Sequence, residues 1–330
     1  MQTSRRFTHT LLWLGLLTLS AASGFAQGTA FPAAAPTSDN KPGSVLLYSY
    51  YSSNPSFPTA ENTRIAVTNT NSSQSATLHV FFIDGASCAP ADTFICLTQN
   101  QTMTFLLSDY DPGVTGYLLM VAVDRDTGVP TQFNYLIGDY SIKLASGHQA
   151  NLTAQAFSAL SATPSQMSPD GITAVIKFDD VNYNAGPRLL AIDSLPSRAE
   201  ANDTMIVLNR LGGDLASGTA APLSSFLGVL YDDVEKGYSF TLPVSGCQWR
   251  RSLSDTTPRT VPRYTTVIKN GRTGWMKLWP VENMAVVGVV LNFNPNTATN
   301  EHAFTGGHNM HILGTTTTDS YTIPIFTPSC

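Results

Sequence analysis

The sequence predicts an all-β protein made of two tandem immunoglobulin-like antiparallel β-sandwich domains. Charged residues make up only 12% of the 330-residue chain, about half the usual share for a soluble domain. Turn formers are frequent, with 24 Gly and 20 Pro. Long helical patterns rich in Ala, Glu, Lys and Leu are missing, and the only plausible helix of any length covers residues 149–160.

The chain begins with the features of a cleavable export signal at residues 1–26. Arg5 and Arg6 form a basic start, and an apolar run follows at residues 11–19 before small residues that suit a cleavage site. Residues 27–42 are rich in Ala, Pro, Gly and Ser, which predicts a short flexible leader. We therefore expect a secreted protein, extracellular or periplasmic.

Short strand-like runs separated by turn residues fill the first predicted domain, residues 43–157. Apolar and polar residues alternate in one of these runs, where Leu78, Val80 and Phe82 share a face. About seven short strands in about 105 residues is the number expected of an immunoglobulin-like sandwich. The runs cover residues 45–51, 63–69, 76–83, 102–107, 116–123, 132–137 and 140–144.

A segment rich in Ser and Pro at residues 158–171 predicts a linker, and residues 172–330 would form a second sandwich with longer insertions. The second half loosely echoes the first, which indicates an internal duplication. Two pairs of segments can be aligned: 62–69 with 202–209, and 116–119 with 274–277.

All four cysteines follow the predicted signal, and an even count in an oxidising compartment predicts disulfides. Cys88 and Cys96 are close enough in sequence to staple one hairpin. Cys247 and Cys330 would then tie the end of the chain into the second half. No C-x-x-C pair is present, so a thiolate zinc site is not expected.

Charge argues against a nucleic-acid partner, and hydropathy argues against a transmembrane segment. The chain carries 18 basic and 23 acidic residues, a net charge of −5, which argues against a nucleic-acid partner. After the signal, no apolar run approaches the roughly 18 residues that a transmembrane helix needs. We therefore expect no transmembrane segment in the mature chain.

Residues 249–279 are unusually basic and aromatic, with Asp255 as their only acidic residue. Such a surface can hold a polysaccharide through stacking, cation–π contacts and bidentate arginine pairing. Alternatively, the tryptophans fill the second core while the arginines lie on a solvated loop. The candidate ligand-binding residues are Trp249, Arg250, Arg263, Tyr264, Trp275 and Trp279.

Two pairs of adjacent aspartates, Asp179–Asp180 and Asp232–Asp233, raise the question of acid–base catalysis. Adjacent residues of an extended chain point to opposite faces, so neither doublet is itself a catalytic pair. A hydrolase would need one carboxylate from each, such as Asp180 and Asp233. Linear motifs of the common hydrolases and nucleotide-binding proteins are missing, which favours a non-catalytic protein, and no catalytic residue is assigned.

Histidines cluster near the end of the chain, where His302 follows Glu301 and His308 precedes His311. Imidazoles with a carboxylate suit a transition metal. However, His308 and His311 face opposite ways in a regular strand and would need a bulge to converge. The sequence therefore predicts no metal site and no cofactor.

The predicted function is that of a secreted, non-catalytic interaction module at the cell surface or in the extracellular matrix. Its partner would be a polysaccharide or another surface protein. One alternative is a carbohydrate-binding module that uses residues 249–279, and another is an extracellular hydrolase with dispersed carboxylates.

Overall fold

The computed structural model describes residues 41–298 and 303–329, so the predicted export signal and most of the leader lie outside the described residues. The strands of the first half are β1 (Val45–Ser52), β2 (Asn62–Asn69), β3 (Ala76–Asp84), β4 (Pro90–Leu97), β5 (Thr102–Leu106), β6 (Thr115–Val123), β7 (Leu136–Lys143), β8 (Gln149–Thr153) and β9 (Gln155–Phe157).

The remaining strands follow in order. They are β10 (Ser165–Met167), β11 (Thr173–Lys177), β12 (Gly186–Pro196), β13 (Asp203–Arg210), β14 (Gly213–Asp214), β15 (Thr219–Ala220), β16 (Phe226–Tyr231), β17 (Gly237–Leu242), β18 (Gln248–Ser252), β19 (Thr273–Pro280), β20 (Val286–Phe293), β21 (Gly306–Asn309), β22 (His311–Thr316) and β23 (Ser320–Pro324).

Helices are confined to α1 (Leu107–Tyr110), α2 (Tyr264–Val267) and a 3₁₀ turn at Arg198–Glu200 in the described ranges. The all-β class is therefore confirmed. The helix predicted at residues 149–160 is wrong, because that segment forms the short strands β8 and β9. Over the same ranges, no helix has the length and apolar character needed to cross a bilayer.

The first nine strands form a β-sandwich. One sheet has the order β4-β3-β6-β1-β9 and the other the order β5-β2-β7-β8. Alternate residues such as Leu46, Val80 and Ile65 fill the core between them. In an immunoglobulin domain the first two strands are neighbours in one sheet. Here β1 pairs with β6 and β9, whereas β2 pairs with β5 and β7, so the strand order is a different one.

The same strand order recurs in the second half. Its sheets run β17-β16-β19-β12-β22 and β18-β13-β20-β21, which match the first pair strand for strand once β14 and β15 are set aside. The segments aligned from the sequence lie in matching strands, β2 with β13 and β6 with β19. A shift in pairing register also recurs at equivalent positions. It lies between Tyr48 and Tyr51 in β1 and between Ile192 and Leu195 in β12.

A fifth sheet, of order β10-β11-β23-β14-β15, covers the outer face of the first five-stranded sheet. Leu47, Phe81 and Leu119 of that outer face pack with Ile176 of β11 and Ile323 of β23. The first sheet is therefore buried on both faces, and β1 is accordingly buried at all eight of its residues, six of them aliphatic or aromatic. The segment predicted as a linker contributes β10 to the covering sheet, and the domain boundaries stay a prediction.

The predicted disulfide pairing is wrong, because Cys88 is bonded to Cys247, with their Cα atoms 5.6 Å apart. Cys88 lies at the turn of the β3–β4 hairpin, whereas Cys96 pairs with Thr77 near the hairpin's open end. Six residues of strand separate Cys96 from the turn-end residue Pro90 by about 20 Å, too far for a disulfide. Cys96 is also disulfide-bonded, and Cys330 lies outside the described residues.

Removing the Cys88–Cys247 bond should destabilise the fold, because the bond closes a loop with a sequence separation of 159 residues. We expect the double variant Cys88→Ala/Cys247→Ala to lose about 4 to 5 kcal/mol of unfolding free energy, measured by denaturant titration. Peptide mapping without reductant, after cleavage before aspartates, checks the pairing because Asp92 lies between Cys88 and Cys96. A peptide linking those two cysteines would contradict it.

His79 should make the stability pH-dependent. Its ring is fully buried between Phe81 and Phe94, with Nε2 2.8 Å from Asp92. Burial lowers the pKa of His79, and the hydrogen bond to Asp92 opposes this only in part. The unfolded chain therefore binds the proton more readily, so stability is lost as pH falls below about 6.5.

The measurement is the free energy of unfolding between about pH 7.5 and pH 5.5. We expect it to fall more steeply for the natural protein than for the His79→Gln variant. The comparison uses slopes, so a constant loss of stability in the variant does not affect it. Equal slopes would show that His79 does not contribute.

Candidate functional site

The six residues predicted to bind a ligand do not form one surface. Trp249 on β18 is only 8% exposed, and Tyr264 at the start of α2 is fully buried; both belong to the core of the second sandwich. The Tyr264 hydroxyl donates to the carbonyl oxygen of Pro196 at 3.2 Å, and burial raises the pKa of Tyr264. Tyr264 therefore leaves no surface for a ligand, whereas Trp249 also lines a pocket beside Arg251; the binding role stays a prediction.

Arg250 joins the two halves of the chain. Its guanidinium donates to the hydroxyl of Tyr50 on β1 and lies 5.6 Å from the centroid of that ring. Burial raises the pKa of Tyr50, and the charge of Arg250 opposes this rise. Arg250 therefore links β18 to β1 through one of its N–H groups, while the residue itself stays exposed.

Arg263 lies in the loop after β18, directly before Tyr264 at the start of α2; we call residues 255–263 the basic loop. Together with Arg259 and Asp255 it lines a pocket of about 540 Å³. An adjoining pocket of about 400 Å³ is lined by Arg251 and also by Arg259. The backbone hydrogen bond from Thr265 lowers the pKa of Asp255, so the carboxylate is fixed within the loop.

Trp275 and Trp279 share one face of β19 with Lys277. The strand alternates strictly, with these three side chains partly exposed and the intervening residues buried. They point outward from the sheet β17-β16-β19-β12-β22. On the neighbouring strand β16, Tyr231 lies beside Trp275 and Leu227 lies beside Trp279. We call these five side chains the open face.

Trp275 is held in place by several contacts. Its ring stacks on that of Tyr231, with centroids 4.0 Å apart and planes 8° from parallel. Its indole N–H donates to the Glu235 carboxylate at 3.1 Å, and the Lys277 ammonium lies 4.9 Å from the ring centroid. The aromatic pair is thus ordered before any ligand arrives, which lowers the entropic cost of binding.

Trp279 lies about 13 Å farther along the same strand. Its cross-strand neighbour Leu227 is 39% exposed. In the described part of the chain, the Trp279 indole N–H has no hydrogen-bond partner and its ring stacks on no other ring. Trp279 therefore presents both an apolar ring and a donor to the solvent.

The matching face of the first half is covered. On β6, the positions that correspond to Trp275, Lys277 and Trp279 are Tyr117, Leu119 and Val121, all fully buried beneath the fifth sheet. The repeat therefore places equivalent residues in opposite environments. Within the described residues, the open face remains partly exposed to solvent.

No known family model matches the chain. No curated protein matches it either. A functional proposal for this protein therefore depends on its own side chains and their surroundings.

The carboxylate doublets occupy turns. Asp179 accepts hydrogen bonds from the backbone of Val181 and Asn182, which is an ordinary turn role. Asp180 is exposed, and Asp233 forms an ion pair with Arg272 at 2.8 Å. These contacts give no support to a hydrolase built from Asp180 and Asp233.

Sequence reasoning missed Leu227, Tyr231 and Lys277, although the pattern that locates Lys277 was available. Residues 273–280 alternate between polar or aromatic residues and apolar ones, as a strand with one buried face does. The pairing of β19 with β16, which brings Tyr231 beside Trp275, depends on the three-dimensional fold and has no local signal.

The two kinds of tryptophan should differ in stability effects. Trp249→Ala removes a core side chain and should cost about 3 to 5 kcal/mol of unfolding free energy. Trp279→Ala removes a partly exposed side chain that has solvent on one side, and should cost less than about 1.5 kcal/mol. Denaturant titration of both variants measures the difference. Similar losses in both would place Trp279 in the core.

Proposed function

We propose that this protein is a secreted, non-catalytic β-sandwich module that binds polysaccharide across the open face. The observation that carries the proposal is the aromatic row on one sheet face, where the ordered Trp275–Tyr231 pair is followed by the unpartnered ring of Trp279. A row of this kind suits an extended chain ligand rather than a small enclosed one.

The chemistry of the row fits sugar rings. Tryptophan and tyrosine combine a large apolar surface with a polar donor, so they can pack on the C–H faces of a sugar and also bind its hydroxyls. Polar side chains border the row. Lys277 lies between the two tryptophans, and Glu235 and the exposed Thr241 flank them. These groups supply donors and acceptors for hydroxyl groups, and Lys277 also suits an anionic polymer.

Export and a tandem arrangement complete the proposal. The basic start and apolar run within residues 1–26 support export. The Cys88–Cys247 disulfide is consistent with an oxidising compartment. The repeated strand order supports two sandwiches related by duplication, in which the first half serves as a scaffold and the second presents the ligand face.

The test is binding to a panel of cellulose, chitin, xylan and a uronic-acid polymer, by pull-down for insoluble polymers and affinity electrophoresis for soluble ones. We expect the natural protein to bind at least one polymer. Trp279→Ala should weaken that binding at least about tenfold, which corresponds to about 1.4 kcal/mol for one lost stacking contact. Trp275→Ala should weaken it similarly.

Arg263→Ala is the matched control, because Arg263 lines a pocket in the basic loop that includes none of the open-face residues. It should bind as the natural protein does, and circular dichroism should show that all variants are folded. Binding lost in Arg263→Ala but kept in Trp279→Ala would move the site to the basic loop. Failure to bind any polymer in the panel would contradict the polysaccharide proposal.

A further inference from the structure

Three side chains from distant parts of the sequence converge at the edge of the second sandwich. Oδ1 of Asp193 lies 3.3 Å from Nε2 of His308 and 3.5 Å from Nε2 of His311. The potential ligand atoms of all three residues lie within 4.8 Å of one another. All three side chains are at least one-third exposed, so the cluster is open to solvent.

The backbone explains how the histidines meet. His308 belongs to β21 in the four-stranded sheet, and His311 begins β22 in the five-stranded sheet. Between them the chain crosses the edge of the sandwich, and the buried side chain of Met310 fixes the crossing in the core. His308 and His311 therefore do not belong to one regular strand, and their side chains need not point to opposite faces.

Asp193 reaches the histidines from a β-bulge. Between the pairs Ile192–Met276 and Leu195–Gly274, β12 has two residues where β19 has one, and Ser194 takes a positive φ of 49°. A bulge redirects side chains that a regular ladder would constrain. Asp193 is consequently exposed on the same face as Trp275, its counterpart on β19.

The bulge recurs in the first half, where it has a packing role. The matching residues of β1 are Ser49 and Tyr50, both buried. The backbone carbonyl oxygen of Ser49 accepts a hydrogen bond from the Asn209 side chain, and the Tyr50 hydroxyl accepts one from Arg250. Among the described residues, no such partner strand covers the bulge of the second half, and Asp193 there is exposed to solvent.

The hydrogen bond at the far side of His308 orients it for a metal. Its Nδ1 lies 2.9 Å from the carbonyl oxygen of Asn309, and a carbonyl can only accept, so Nδ1 is the donor. The neutral ring then presents a lone pair at Nε2. A metal cation between Nε2 and the carboxylate oxygen would accept this lone pair, and an Nδ1–H contact to a carbonyl is typical of histidine ligands.

We infer that Asp193, His308 and His311 bind a divalent transition metal, with zinc as the ion of best fit. Two donors about 2.1 Å from a tetrahedral zinc lie about 3.4 Å apart, which agrees with both distances from Asp193. The ligand atoms of the three residues lie up to 4.8 Å apart. The His311 side chain is 57% exposed, so its ring is free to turn and bring its nitrogen closer to that of His308. Three protein ligands leave one position for water or an external oxygen ligand.

The test is calorimetric titration of zinc into tag-free protein that has been treated with a chelator. We expect one zinc per chain, and at least about tenfold weaker binding in Asp193→Asn and in His311→Ala. Cobalt provides a second readout, since bound Co²⁺ should show the visible absorption of a four- or five-coordinate ion. Both variants change exposed side chains, and thermal unfolding checks that they are folded.

Thr315→Ala is the matched control, because Thr315 is exposed on the same strand as His311. It should bind zinc as the natural protein does. Trp279→Ala should also keep its zinc site, so a failure of the polysaccharide proposal can be told apart from a failure of this one. Absence of saturable binding below about 100 µM zinc, or equal affinity in Asp193→Asn and His311→Ala, would overturn the inference.

Discussion

The architecture depends on the need to bury both faces of the first five-stranded sheet. Val45 and Leu47 of β1 lie on one face, and Leu46 and Tyr48 on the other; all four are fully buried. A sheet of this composition cannot leave either face in water, since each exposed apolar side chain forfeits about 1.5 to 3 kcal/mol of burial. The β5-β2-β7-β8 sheet covers one face, and the fifth sheet covers the other.

The covering sheet makes the two halves unequal. Strands of the fifth sheet come from segments that lie outside the repeated strand order, namely β10, β11, β14, β15 and β23. Because they pack on the first half, the equivalent face of the second half keeps its aromatic and charged side chains in solvent. The fifth sheet packs on the first half, which therefore has a structural role. The equivalent surface of the second half is free to change towards binding.

Sequence patterns predicted the class and most strands of the first half, because alternation and turn residues are local signals. The predictions that failed depend on distant contacts. Residues 149–160 contain no Gly or Pro to break a helix, yet pairing at sheet edges forms β8 and β9 from them. Cys88 bonds to Cys247 because the β3–β4 turn packs against the start of β18. Trp275 and Trp279 were found from composition, whereas Asp193 needed a bulge that no local pattern reveals.

The position of β23 has a consequence for how the protein is made. This strand lies in the middle of the fifth sheet, between β11 and β14, although it is the final strand of the described chain. Pairings between segments so far apart in sequence form slowly, since a long loop must close first. Until residues 320–324 are synthesised, the fifth sheet lacks its middle strand, and the incompletely covered outer face of the first sheet exposes a nascent chain to aggregation.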